Sequence, residues 1–277
     1  MNTITHAEEK AFAENDSGVV DNAEVVSAVK APASSTFFHT QAPAKQLITY
    51  PIVYSETRIH EPRQQMLERK RVLSDLSPGP IVEIYKHLRT QVVRKLKANN
   101  WSSLAVISAR SGQGATLTAV NLGISIARDH RFTTLIADFN LNNPAVHSYF
   151  DYEPAESNTL SAYFDGQVCL ENLFVNPGIG GLVFIPGGAV IEHSSEMLMS
   201  PKAQQLVNEI NERYSSRVVI YDLPPILESD DALATLDYFD ACLVVVEEGV
   251  TKKADLERVS ELLGDKPVLG IVYNNAY

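Results

Sequence analysis

Ser108-Ala109-Arg110-Ser111-Gly112-Gln113-Gly114-Ala115-Thr116 follows the apolar run Leu104-Ala105-Val106-Ile107 and opens a helix-like segment, Leu117 to Ala127. An apolar strand, a glycine-rich turn and a helix, in that order, are the setting in which backbone amides close around a phosphate. The pattern GxxxxGK[ST] is met at Gly114 and Thr116. It is missed at two places: Ala109 stands at the first glycine and Ala115 at the lysine. The stretch keeps the cradle and lacks the cation that holds β- and γ-phosphates. A plain glycine-rich turn is the alternative.

The chain around this loop alternates in the same way. Strands are expected at Leu104–Ser108, Thr134–Asp138, Leu182–Ile185, Val218–Asp222, Ala241–Val246 and Val268–Tyr273. These runs are rich in Val, Ile and Leu and carry no polar alternation, as in strands buried on both faces of a parallel sheet. Helical spacing fills the gaps at Thr116–Ala127, Pro201–Tyr214, Asp231–Leu236 and Lys252–Leu263, and precedes the loop at Ile81–Lys97. The expected fold class is α/β, a doubly wound, mostly parallel sheet flanked by helices, with a P-loop at one strand end.

Residues 81–277 form the expected domain. Residues 59–80 read as a short helix within Glu61–Leu76 and a linker broken by Ser77-Pro78-Gly79-Pro80. Residues 1–58 are rich in Ala, Ser and Thr and read as disordered or extended. Gln46–Tyr54 is their one apolar stretch, either a docking segment or a surface strand.

The 277 residues are 45% hydrophobic and carry a formal charge of −11, which argues against general nucleic-acid binding. Cys169 and Cys242 each sit beside apolar residues and read as buried thiols. No apolar run approaches the roughly 20 residues of a membrane span. The expectation is a cytoplasmic protein that docks at the inner membrane through a partner.

In a doubly wound sheet, ligands sit at the carboxyl ends of the strands. Gly112 and Gly114 follow one such end, Asp138 and Asp222 finish two others, and Asn274 follows the last. The expected contacts to a nucleotide are Ser111, Gly112, Gln113, Gly114, Ala115, Thr116 and Leu117. Thr116, Asp138 and Asp222 are the expected holders of Mg²⁺, and Asp138 the candidate base. For each acid the alternative is a turn residue or helix cap. No histidine has metal-ligand spacing.

From about Ile81 to Asn275 the chain resembles the bacterial tyrosine kinases of capsule and exopolysaccharide synthesis, within the MinD-like P-loop superfamily. The resemblance rests on ordered motifs. Ser108, Gly112, Gly114, Thr116, Asn121 and Leu122 match S-x-x-P-G-E-G-K-[ST]-x-x-x-x-N-L. Asp138 and Pro144 match D-x-D-x-R-x-P. Asp222-Leu223-Pro224-Pro225 matches D-[ST]-P-P, and Val272-Tyr273-Asn274 the terminal V-L-N. Pro186-Gly187-Gly188 leading to Glu196-Met197-Leu198-Met199-Ser200 is similar to the autokinases of exosortase-associated polysaccharide loci.

The resemblance implies ATP or ADP with Mg²⁺ as ligand and tyrosine as phosphoryl acceptor. It implies a membrane-embedded polysaccharide co-polymerase or chain-length protein as partner, and self-association through Glu83, Lys86 and Arg89. It also places Asn274 near the base, although Asn274-Asn275 reads equally as a strand-end turn. Arg110 takes the place of the signature lysine of MinD-like proteins, which suggests that it compensates for Ala115.

The departures fall on catalytic positions. Ala115 replaces lysine, Asn140 replaces the second acid, Asn142 the arginine, Ser111 the proline and Gln113 the glutamate. The sequence stops at Asn275-Ala276-Tyr277 without the tyrosine cluster. Losing one electrostatic donor at the transition state costs about 10²–10³ in rate. A kinase-like protein with weakened or lost turnover is the leading expectation. A nucleotide-free scaffold and a MinD-like positioning ATPase are the alternatives.

Overall fold

Uninterrupted Val, Ile and Leu runs require cover on both sides, and the arrangement of the sheet supplies it. The computed structural model describes residues 57–212 and 217–275. All of them fall within one unit, Thr49–Ala276. The expectations for residues 1–56, for Tyr214 and for Tyr277 lie outside the described residues.

The described strands are β1 (Arg58–Ile59), β2 (Ser103–Ser108), β3 (Thr133–Asp138), β4 (Val175–Asn176), β5 (Leu182–Ile185), β6 (Arg217–Asp222), β7 (Ala241–Glu247) and β8 (Val268–Asn274). They form one sheet in the order β1-β4-β5-β3-β6-β2-β7-β8. The pairings are parallel except for β4 against β5. The main helices are α1 (Gln64–Arg69), α2 (Gly79–Ala98), α3 (Ala115–Ala127), α4 (Val146–Tyr149), α5 (Leu160–Phe164), α6 (Ser194–Leu198), α7 (Pro201–Glu212), α8 (Asp231–Thr235) and α9 (Lys253–Leu263).

Successive residues of a strand point to opposite faces, so the core divides in two. Leu104, Val106, Ile136 and Ile220 face one layer, shared with Val92 and Leu96 of α2 and the residues of α3. Ala105, Ile107, Ala137 and Val244 face the other, with Leu206 and Ile210 of α7 and Val259 of α9. Strands β2 and β6 are buried at every position. They lie side by side at the centre, which fixes the phosphate-loop strand against the Asp222 strand.

The short helix expected within Glu61–Leu76 is α1, which ends where Arg71 adopts φ 58°. Three sequence expectations change. Within the 59–80 segment read as a short helix and linker, the part from Leu67 to Leu73 is packed into the layer that holds α3. Leu67, Val72 and Leu73 are buried, and Asn121 of α3 ties them down. Its Oδ1 accepts from Leu73 N at 2.8 Å and its Nδ2 donates to Arg71 O at 3.0 Å. Cys169 is exposed, at the start of a short 3₁₀ turn; only Cys242 is buried. The Ser77–Pro80 break is the start of α2. Pro78 precedes it and Pro80 lies in its first turn, where a missing N–H costs nothing.

Candidate nucleotide site

Between β2 and α3 the chain must turn within a few residues, and two glycines let it. Gly112 and Gly114 have φ of 82° and 86°, a left-handed region disfavoured for residues with a Cβ. No side chain caps the start of α3, so its first amides and its dipole face the cleft, a preformed anion cradle. Gln113, only 1% exposed, holds the loop in shape. Its Oε1 accepts from Arg110 N at 3.0 Å and its Nε2 donates to Thr251 Oγ1 at 2.7 Å. Asn274 Nδ2 donates to Gln113 O at 3.0 Å, bringing the end of β8 onto the loop.

Asp222 and Asp138 end neighbouring strands in direct register. Thr116 Oγ1 donates to Asp222 Oδ2 at 2.8 Å. Asp138 Oδ2 accepts from Ala145 N at 2.9 Å and Val146 N at 3.0 Å, fixing the start of α4. Close approach of Gly187 completes this wall: a Cβ there would lie 2.7 Å from Pro144 and 3.3 Å from the Asp138 carboxyl carbon.

Both carboxyls are fully buried, and the Oδ1 atom of each lacks a hydrogen-bond partner. Burial pushes Asp138 up to about 7 against the pull of the Val146 and Ala145 amides on its Oδ2. Burial and then the charge of Asp138 raise Asp222 well above the usual carboxylate range, and the Thr116 hydroxyl opposes this.

Two buried, unpartnered carboxylate oxygens beside a hydroxyl fit a hard divalent cation, which takes one or two carboxylates plus phosphate oxygens. The exposed amide end of α3 fits the phosphate. Among the described residues no cluster of three or more His, Cys, Asp or Glu residues could hold a metal by itself.

The loop and the start of α3 open onto a cleft of about 530 Å³, whose lining does not include Asp138 or Asp222; both lie buried behind it. Ser111, Gly112, Gln113, Gly114, Ala115 and Thr116 line it, as do Asn140 and Asn142. Five lining residues were missed by the sequence reading: Asn143, Ala145, Tyr149, Glu228 and Ser229. None was part of a motif the sequence reading used, and folding alone brings them to the cleft. Glu228 Oε2 accepts from Ser111 N at 3.0 Å and Ser111 Oγ at 2.6 Å, contacts that hold its carboxyl below the ordinary range.

Other candidates are placed differently from expectation. Arg110 does not reach toward Ala115. Its guanidinium lies 2.8 Å from Asp255 Oδ1 and 3.8 Å from Glu228 Oε1. Ala115 is 8% exposed, its methyl part of the apolar layer. Leu117 is half-buried against that same layer. Asn274 packs on Gly114. On α2, Glu83 and Lys86 form an exposed pair at 2.6 Å, whereas Arg89 is turned inward to donate to Ser125 O at 2.9 Å. The three therefore do not present one free face. Among the described residues no helix is long and apolar enough to cross a membrane.

No protein-family model matches the chain. The putative tyrosine-protein kinase in the cps region of Klebsiella pneumoniae is 29% identical over 191 residues, 68% of this chain and 26% of that protein. The putative tyrosine-protein kinase CapB of Staphylococcus aureus is 24% identical over 217 residues, 76% of this chain and 92% of its own. This chain thus spans about a quarter of the first relative and nearly all of the second.

Among solved structures, the BceF tyrosine kinase domain superposes with a TM-score of 0.67 at 22% identity, covering 80% of this chain and 93% of that one. The chimerical protein CapA2B2 gives 0.65 at 20%, covering 78% and 92%. The septum site-determining protein MinD complexed with Mg-ADP, from Pyrococcus horikoshii OT3, gives 0.51 at 17%, covering 62% and 69%. These likenesses establish a MinD-like P-loop fold. Loop, paired acids and sequence kinship agree: the chain is a homologue of the bacterial tyrosine-protein kinases of capsule and exopolysaccharide loci.

Proposed function

We propose that this protein is a kinase-like, nucleotide-binding P-loop protein of exopolysaccharide biosynthesis or export, with weakened or lost tyrosine autokinase and ATPase activity. The observation that carries this reading is the pairing of an intact acid–hydroxyl set with an alanine at the lysine position. Thr116 and Asp222 are hydrogen-bonded, Asp138 lies in register beside Asp222, and Ala115 lines the cleft with a methyl group and no charge.

The amides of the α3 start would receive the phosphates of ATP or ADP. Thr116 Oγ1 and Asp222 would hold Mg²⁺, which when bound neutralises charge on the phosphate oxygens. Asp138 spends Oδ2 on the amides of α4, so any acceptance of a tyrosine proton falls to Oδ1. With Ala115 in place of the ammonium group, the charge that shifts onto leaving oxygens is met by fewer donors. The expected loss is about 10²–10³ in rate. The partner would be a membrane-embedded polysaccharide co-polymerase, in keeping with kinship to capsule-locus kinases.

The decisive experiment is calorimetric titration of the purified chain with ATP and ADP, with and without Mg²⁺, followed by detection of phosphotyrosine. Binding with little or no phosphotyrosine supports the reading, and Ala115→Lys then raises turnover. Turnover at the rate of an ordinary kinase overturns the impaired-activity claim. A scaffold that has abandoned nucleotide is the second reading. It is favoured by one observation: none of the residues lining the cleft is Lys, Arg or His.

A further inference from the structure

We infer that this cleft prefers a nucleoside diphosphate to the corresponding triphosphate; the inference rests on the nucleotide reading above. Attraction for phosphate comes from one place, the amide end of α3. A helix start carries the equivalent of about half a positive charge, and its reach falls off within the first turn. It suits the innermost phosphate that lies against Gly114 and Thr116.

Beyond that point the cleft has no positive charge. Its lining contains no basic side chain, and the one charged lining residue is Glu228, an acid. Asp138 and Asp222 lie beneath, fully buried. The nearest cation on the loop, Arg110, is held by Asp255 and Glu228. The asparagines of the opposite wall can donate hydrogen bonds but bring no charge, and Asn142 already donates to Asp231 Oδ2 at 2.9 Å.

A third phosphate therefore adds negative charge to a wall that is neutral or acidic. In a lysine-bearing loop the ammonium group would balance that charge; here a methyl group at the cleft lining stands in its place. Magnesium accompanies either nucleotide, so the two are compared with the metal in fixed excess.

The test is calorimetric titration of the full chain, at fixed excess Mg²⁺, with ADP and with a non-hydrolysable ATP analogue. The expected result is ADP bound about tenfold more tightly, a difference of about 1.4 kcal/mol. Equal or tighter binding of the triphosphate overturns the preference while leaving the nucleotide reading standing. No binding of either at millimolar concentration overturns both. Glu228→Gln keeps an acceptor for Ser111 and removes the lining charge, so it should narrow the ratio about threefold. Ala115→Lys should move the ratio tenfold or more toward the triphosphate. An unchanged ratio in both variants, each folded by circular dichroism, would overturn the charge argument.

Discussion

Thr116 and Asp222 meet across 2.8 Å, joining the second residue of α3 to the last residue of β6. The hydroxyl gives Asp222 the one side-chain hydrogen bond that the buried carboxyl makes. Thr116→Val keeps the shape and removes the donor. The expected cost is about 1–3 kcal/mol for orphaning a buried polar group. Urea unfolding reads the stability, and titration should show that Mg²⁺ no longer strengthens ADP binding. An unaltered magnesium effect would separate Thr116 from the metal.

Gly114 and Gly112 offer a paired comparison. Both have positive φ, so alanine at either costs roughly 1–2 kcal/mol in backbone strain. At Gly112 an added Cβ meets nothing within 4 Å, whereas at Gly114 it lies 2.1 Å from Asn274 Nδ2. Gly114→Ala should therefore destabilise more than Gly112→Ala. Adding Asn274→Ala should recover the difference in a double-mutant cycle. Equal losses for the two single variants would dissolve the claimed contact between β8 and the loop.

Asn121 holds Arg71 and Leu73 by two hydrogen bonds. Asn121→Leu should cost roughly 1–3 kcal/mol for each backbone group left without a partner. Hydrogen exchange should accelerate first at Val72 and Leu73. Uniform acceleration over the whole sheet would count against a local tie.

The buried acids give stability a pH slope. An unfolded aspartic acid loses its proton near pH 4, whereas folded Asp138 keeps its proton to about 7, burial being the main cause. Between those values the folded state holds the extra proton. The contribution is therefore greatest below pH 4 and declines as pH rises toward 7. In magnesium-free buffer, Tm should be lower at pH 8 than at pH 5.5. Asp222→Asn leaves Thr116 an acceptor and removes one ionisable member of the pair. It should flatten the decline and raise Tm at pH 8 by about 2–4 °C per kcal/mol gained. Parallel curves for the two proteins would refute the coupling.

The parts of this fold governed by local chemistry were legible in the sequence. The six apolar runs expected as strands are strands, because residues such as Val106 and Ile220 can be satisfied only by burial. Gly112, Gly114, Asp138 and Asp222 gather at one sheet edge because parallel strands end there. What escaped the reading depends on contacts distant in sequence. Strand β4 is two residues long and pairs through the backbone, so it has no periodicity to detect. Arg110 is diverted by Asp255, 145 positions away. Cys169 sits between apolar neighbours but on a turn, and residue type alone does not report which side of a turn faces solvent.

The sheet order has a mechanical consequence. Strands β1 and β8 form opposite rims, with Arg58 and Asn274 separated by seven inter-strand steps, roughly 33 Å at about 4.8 Å each. Along the chain, however, β1 is followed by α1, α2 and then β2, so tension entering from upstream of Arg58 passes through those two helices before it reaches β2. The packing of α1 and α2 is thus what stands between a pull at that end and the phosphate loop, while a tug on Asn274 is felt at Gln113 at once.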